Sequence, residues 1–273
     1  MICLTFDIHH NSLGTGNQHH CDITEIQTAQ IAHKLISEAK IKATYFITGK
    51  AFAEEWNDLK SIVNNDNIEI GGHTYYCFKP DFLHRITKKL FKSYNGLSFQ
   101  QKWDTQKTID IIYNKTGKKI TSWRNHMYMH GPYTDSILKS CGIKVCSDGV
   151  KKQSDGLIQI ENDYYHFPIN TIPDHEHIIH AERTPEWISD WQKRYNWSDD
   201  FGPESYHISE WTDILLRQLE ENEKNGVISN LMIHPITMYL CDQFESFKKI
   251  LSFIQDKQTC TVNDLYNQYS KSV

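Results

Sequence analysis

An α/β fold built on a parallel sheet is the class this sequence predicts, and three observations predict it. The run Ile2-Cys3-Leu4-Thr5-Phe6 meets no charge until Asp7, the pattern of a central strand buried on both faces. Behind it, helical periodicity alternates with β-rich runs, the rhythm of βαβ units. Four predicted strands then end on side chains fit for acid–base or metal chemistry: Asp7 with His9 and His10, then His73, then Arg124 with His126, and finally His234. Open α/β sheets and β/α barrels gather their chemistry at such strand ends. The 273 residues show no internal repeat, linker or low-complexity segment, so one domain over 1–273 is expected.

The elements follow in order. After the first strand comes a glycine- and histidine-rich loop, 11–21, and Asp22-Ile23-Thr24-Glu25 reads as a capping box. Ile26, Ala29, Ala32, Ile36 and Ala39 carry that helix onward at three- and four-residue spacing. Ala43-Thr44-Tyr45-Phe46-Ile47-Thr48 is a β-rich strand stopped by Gly49, and 51–62 reads as a helix. Ile68-Glu69-Ile70-Gly71-Gly72-His73 is the next strand, its two glycines permitting close backbone approach and unusual dihedrals before His73.

Residues 77–97 exceed an ordinary connection and read as an insertion forming part of a substrate rim. Within it, 79–92 is basic and reads as a solvated helix face ahead of a contact for an anionic partner. A helix over 99–113 is expected to turn Trp103, Ile109 and Ile112 to the core. Ile120-Thr121-Ser122-Trp123-Arg124-Asn125-His126 is a strand, 132–140 a short helix ending near Gly142, and Ile143-Lys144-Val145-Cys146 another strand. Strands are expected within 157–169, and the weakly periodic segment 174–206 is expected to cover the barrel mouth. Ile208, Trp211, Ile214, Leu215 and Leu219 mark an amphipathic helix leading to Val227-Ile228-Ser229-Asn230-Leu231-Met232-Ile233-His234-Pro235. Phe244, Phe247, Ile250, Leu251 and Ile254 mark another, before a short strand over 259–262 and a closing helix.

Leu4-Thr5-Phe6-Asp7, Glu69-Ile70-Gly71-Gly72-His73-Thr74, Trp123-Arg124 and Leu231-Met232-Ile233-His234-Pro235 stand in the order found in polysaccharide deacetylases, and the chain resembles the NodB-homology domains of carbohydrate esterase family four from Ile2 to about Ile236. The resemblance implies a distorted parallel β/α barrel of seven or so strands and metal-dependent removal of an N- or O-acetyl group. Three positions depart from the family pattern. Ile8 follows Asp7 where a second aspartate is usual, and His9 stands where an Asp-x-Asp version of the motif puts that carboxylate. Cys77 occupies the second position of the His-x-x-x-His motif that begins at His73, and His126 replaces a proline two residues after Arg124.

A carboxylate directly after a buried strand is costly unless paired, so Asp7 reads as a general base rather than a loop cap. His9 and His10 point opposite ways in extended chain, and His9 shares the side of Asp7. His73 is the leading metal ligand. Cys77, four residues on, reads as a thiolate ligand that favours zinc or as a small buried filler. His126 reads as a ligand, a donor to substrate or an orienting partner. Arg124 binds a substrate anion or orients Asp7 through a bidentate pair, and the resemblance implies the second. For His234 the resemblance implies the general acid, against a satisfied core histidine. His166, His175, His177 and His180 fit no ligand spacing and read as loop polarity.

The expected function is a metal-dependent hydrolase, with zinc held by His73 and His9 and completed by His126 or Cys77, that deacetylates an acetylated amino sugar or a surface-polysaccharide precursor. The alternatives are a deformylase or other small-amide hydrolase on the same barrel, and a catalytically inactive carbohydrate-binding barrel. A net charge of −5 gives no basic excess to neutralise phosphates, which excludes nucleic acid as the partner. No run approaches the roughly 18 apolar residues of a membrane span, and the N-terminus lacks the charged and apolar regions of a secretion signal. Seven scattered cysteines without a Cys-x-x-Cys pair read as free thiols. The expected address is the cytoplasm, and nothing in the sequence selects a face for self-association.

Overall fold

The computed structural model describes residues 1–271. One sheet contains eight strands: β1 (Ile2–Ile8), β2 (Ala43–Ile47), β3 (Ile68–Gly72), β4 (Ser122–Trp123), β5 (Val145–Cys146), β6 (Ile158–Glu161), β7 (Tyr164–His166) and β8 (Ser229–Ile233). Their spatial order is β6-β7-β5-β4-β3-β2-β1-β8. Every neighbouring pair is parallel except β6 with β7. The result is the predicted α/β class, a curled and mostly parallel sheet of the distorted-barrel type.

Strand β1 lies at the centre of the long-stranded half, flanked by β2 and β8, and all its residues are buried. Its alternation sorts the two faces. Ile2, Leu4, Phe6 and Ile8 join Ile26, Ala29, Ala32 and Ile36 of the helix Glu25–Glu38 in the main apolar core. Thr5 and Asp7 face the other way, into a polar interior. There Glu69 accepts from Ser122 Oγ at 2.6 Å, Thr44 Oγ1 at 2.9 Å and the Asn263 amide at 2.8 Å. A carboxylate drawn even partly out of water needs such partners. The main apolar core therefore sits between sheet and helices, while the other face of β1 meets both this hydrogen-bonded network and a smaller apolar cluster that includes Cys3, Phe46, Val145 and Phe167.

Among the described residues no ladder joins β7 to β8, and side-chain amides bridge the gap. Asn170 Nδ2 donates to the carbonyls of Ser154 at 2.7 Å and Ile228 at 2.9 Å, and Asn170 Oδ1 accepts from the Asn230 amide at 2.8 Å. Asn230 Nδ2 donates to the Phe167 carbonyl at 2.8 Å. Backbone groups that a closed barrel would pair are satisfied this way.

Several local expectations are corrected. The first long helix is capped by Thr24 with Gln27, not by a box of Asp22 and Glu25. The helix expected over 51–62 is two, Gly49–Glu54 and Trp56–Val63, broken at Glu55 where φ is −121° and ψ 28°. The strand expected over 120–126 extends only across β4, before the chain turns at Met127 and Tyr128 with left-handed φ. Trp103 is 60% exposed, although Ile112 is buried and Ile109 packs on the core as expected. Residues 259–262 make one bridge, Ile2 to Thr259, and pass into the helix Val262–Ser270. Gly71 and Gly72 have no left-handed φ. Their lack of a side chain makes room, since an added Cβ would lie 2.5 Å from the Phe46 ring at Gly71 and 2.3 Å from the Trp123 ring at Gly72.

The insertion 77–97 carries the helix Asp81–Phe91, and the segment 174–206 carries the helices Asp174–His177 and Pro185–Tyr195. Among the described residues no helix is long and apolar enough to cross a membrane.

Candidate active site

The strand ends converge, as their sequence pattern predicts. Asp7 is buried in β1, and Arg124 Nη1 donates to its Oδ1 at 2.9 Å. The pair is single-pronged rather than bidentate, because the rest of the guanidinium is engaged elsewhere. Nε donates to the Ser147 carbonyl at 3.0 Å, and Nη2 reaches Ser147 Oγ at 2.7 Å, Thr5 Oγ1 at 3.0 Å and Asn230 Oδ1 at 3.2 Å. Its plane lies 4.5 Å over the Phe46 ring. A buried charge so completely partnered is immobile. Asp7 Oδ2 is thereby left facing His73, whose Nε2 lies 3.9 Å away.

His9 and His73 present matched geometry. The Nδ1 of His73 donates to the Arg124 carbonyl at 2.8 Å, and the Nδ1 of His9 donates to the Glu25 carboxylate at 2.8 Å. Both acceptors lack protons, so each ring's remaining nitrogen turns a lone pair inward when the ring is neutral. The two Nε2 atoms face each other at 3.2 Å, and His126 Nδ1 stands 3.1 Å from His9 Nε2. Facing lone pairs are relieved by a proton or by a shared cation. Burial first, then the neighbouring His9 ring, pushes the imidazoles of His73 and His126 well below the usual histidine range, which keeps them neutral. Cys77 is buried, and its Sγ with one nitrogen each of His9 and His126 lies within 4.8 Å of one another. Burial pushes that thiol well up, so it is not a thiolate at rest. His9 Nε2 thus has a nitrogen of each of two further imidazoles beside it, and Cys77 Sγ lies with His9 and His126, a set of donors that fits zinc.

His234 closes the opposite side, its ring stacked on His9 with centroids 5.9 Å apart. Its Nδ1 donates to Asp174 Oδ1 at 2.7 Å and its amide to Asp174 Oδ2 at 2.6 Å. Burial disfavours the imidazolium, but the Asp174 carboxylate outweighs it and holds His234 at about 9. His10 points away, bonded to Thr48 Oγ1 at 3.1 Å and tilted on Tyr76.

The structure thus brings Asp7, His9, His73, Cys77, Arg124, His126 and His234 together. It adds Glu25 and Asp174, the carboxylates that orient His9 and His234, together with Ser147 and Asn230 on Arg124. Glu25 carries only a capping signal in the sequence, and Asp174 lies in the segment of least periodicity. Two of the histidines read as loop polarity are buried instead: His177 donates to the Glu204 carbonyl at 2.7 Å, and His180 donates to the Ile178 carbonyl at 2.8 Å. His175, in ring contact with His234 at 5.4 Å between centroids, lines the same region. His166 joins His130 on Asp135, at 2.7 and 3.4 Å, a separate ion-pair group beside buried Asp148.

Comparison with known proteins gives the family and the fold. The family model for polysaccharide deacetylases matches residues 1–146. Solved structures show the same fold at low identity. A candidate polysaccharide deacetylase from Mycobacterium smegmatis is 13% identical with a TM-score of 0.69, covering 99% of this chain and 90% of that one. Puue allantoinase is 11% identical with a TM-score of 0.69, covering 99% of this chain and 91% of its own. A candidate polysaccharide deacetylase from Pseudomonas aeruginosa PAO1 is 11% identical with a TM-score of 0.67, again covering 99% and 91%. No curated protein sequence matches the chain.

Proposed function

The chain belongs to the polysaccharide deacetylase family, and from that premise we propose that it is a zinc-dependent hydrolase that removes an acetyl group from an acetylated amino sugar or a surface-polysaccharide precursor. The observation that carries this reading is the division of labour at Asp7. Arg124 takes Oδ1 at 2.9 Å, and Oδ2 is left toward the imidazoles.

His73, His9 and His126 would hold the ion, with Cys77 beside them. A zinc ion there supplies a Lewis acid for the acyl carbonyl and acidifies water. Asp7 acts as general base and takes a proton from the attacking water, its orientation fixed by Arg124. Glu25 and the Arg124 carbonyl hold the His9 and His73 rings with their lone pairs inward. His234 is kept protonated by Asp174 and gives its Nε2 proton to the leaving amine or alkoxide. Water and the acyl compound are consumed, and acetate and the free amine or alcohol leave. All seven cysteines are free thiols, which supports a cytoplasmic address and a precursor rather than finished cell wall.

The test is a panel of acetylated amino sugars and their formylated counterparts, assayed with zinc and after chelation. Release of acetate that stops on chelation and returns with zinc is the expected result. Formate release exceeding acetate release would move the assignment to a deformylase, and no turnover with bound zinc would make the chain a binding barrel.

A further inference from the structure

The helix Asp81–Phe91 has a face that the fold does not use. Phe82, Ile86 and Leu90 recur at four-residue spacing and, with Leu83, form one stripe. Phe82 is 60%, Ile86 49% and Leu90 66% exposed. In an amphipathic helix of a soluble domain such a stripe faces the core. Here the buried residue of the helix is Thr87, while His84 docks it to the body. His84 Nδ1 donates to the Tyr94 carbonyl at 2.7 Å, and its ring tilts on Phe78 at 5.2 Å between centroids.

The charge beside the stripe is one-signed. Residues 79–92 hold five cations, Lys79, Arg85, Lys88, Lys89 and Lys92, against one carboxylate, Asp81, in a chain of net charge −5. Asp81 is paired with Arg85 at 2.6 Å. The face is exposed, as a solvated face is, but Phe82, Leu83, Ile86, Leu90 and Phe91 among its outward side chains are large and apolar. Pairing with a second copy through this face would set the cations against themselves. An apolar stripe bordered by lysines is instead complementary to a surface that is anionic outside and hydrocarbon beneath.

We propose that the helix Asp81–Phe91 is an interfacial docking element that seats the protein on an anionic membrane surface, with Phe82, Leu83, Ile86 and Leu90 entering the acyl boundary and Arg85, Lys88, Lys89 and Lys92 meeting the headgroups. The element adjoins the chemistry: Phe78, on which His84 rests, lies 5.7 Å from the His126 ring between centroids. Docking brings the site to the bilayer surface, where a lipid-linked acylated sugar is presented. That last step rests on the proposed activity, whereas membrane binding does not.

Cosedimentation with vesicles of phosphatidylglycerol and phosphatidylcholine, beside vesicles of phosphatidylcholine alone, tests the docking without reference to activity. The full chain is expected to bind the anionic vesicles and to be released by salt. Ile86→Glu with Leu90→Glu, and separately Lys88→Glu with Lys89→Glu, should each lower binding at least tenfold. All four side chains lie on a helix surface, and unchanged circular dichroism certifies the fold of each variant. Equal binding of wild type and variants overturns the proposal, as does absence of binding to anionic vesicles. A wild-type dimer in sedimentation that Ile86→Glu converts to monomer, without vesicle binding, assigns the face to a second copy instead.

Discussion

The inward lone pair of His9 exists because Glu25 accepts from its Nδ1 at 2.8 Å and from its amide at 3.0 Å. Replacing Glu25 with Gln keeps the size but substitutes a neutral amide for the carboxylate. We predict that zinc affinity falls by about 10–100-fold, as for other orienting partners of a metal-binding histidine, measured by competition with a chromophoric chelator. Unchanged affinity would remove His9 from the ligand set. The chemistry-bearing ends of the strands, Asp7, His9, His73, Arg124, His126 and His234, were legible because strand-end position and residue type coincide. Glu25 and Asp174 were not. Each reaches the site from a separate segment, and no spacing in the chain encodes the hydrogen bond it makes.

At the level of elements, strand β3 and the loop after it set how closely its neighbours approach. Gly72 lies against the Trp123 ring, where an added Cβ would be 2.3 Å from two ring atoms. Gly72→Ala should cost roughly 1–3 kcal/mol, the usual scale of overpacking in a filled core, read by urea denaturation. The Tyr75 amide beyond β3 is held by Asp104, whose two carboxylate oxygens accept from it at 2.9 and 3.0 Å. Burial pushes the Asp104 carboxyl up to about 7. That value is above its unfolded one, so between about pH 4 and 7 the folded chain binds more protons than the unfolded chain, and stability from this group falls as pH rises through the window. Asp104→Asn should lack that component, and the gap between variant and wild type should change by at least about 1 kcal/mol from pH 4.5 to 7.5. Parallel curves would contradict it. Strands β1, β2 and β8 and the helix Glu25–Glu38 were legible from alternation and three- and four-residue spacing. The brevity of β4 and the break at Glu55 were not, because both are set by turns in the backbone rather than by apolar periodicity.

At the scale of the whole molecule, the sheet is held in its curl by side chains as much as by ladders. Asn170 satisfies two carbonyls and one amide across the open edge. Asn170→Ala leaves those groups buried and unpaired and should destabilise the protein by about 1–3 kcal/mol or more, with a lower midpoint in thermal melting. A midpoint within error of wild type would show that the edge needs no such bridge. The βαβ rhythm disclosed the class of fold, but neither this closure nor the outward stripe of the helix Asp81–Phe91 could be read from it. A periodic apolar pattern tells which residues share a face and not whether that face meets protein. The proposed hydrolysis depends on Asp7 as its base, and the most direct measurement is kcat for acetate release from an acetylated amino-sugar oligomer, with saturating zinc, by wild type and Asp7→Asn. Loss of a general base predicts a fall of about 10²–10⁴-fold with the fold and bound zinc retained. Equal kcat in the two proteins would contradict the account.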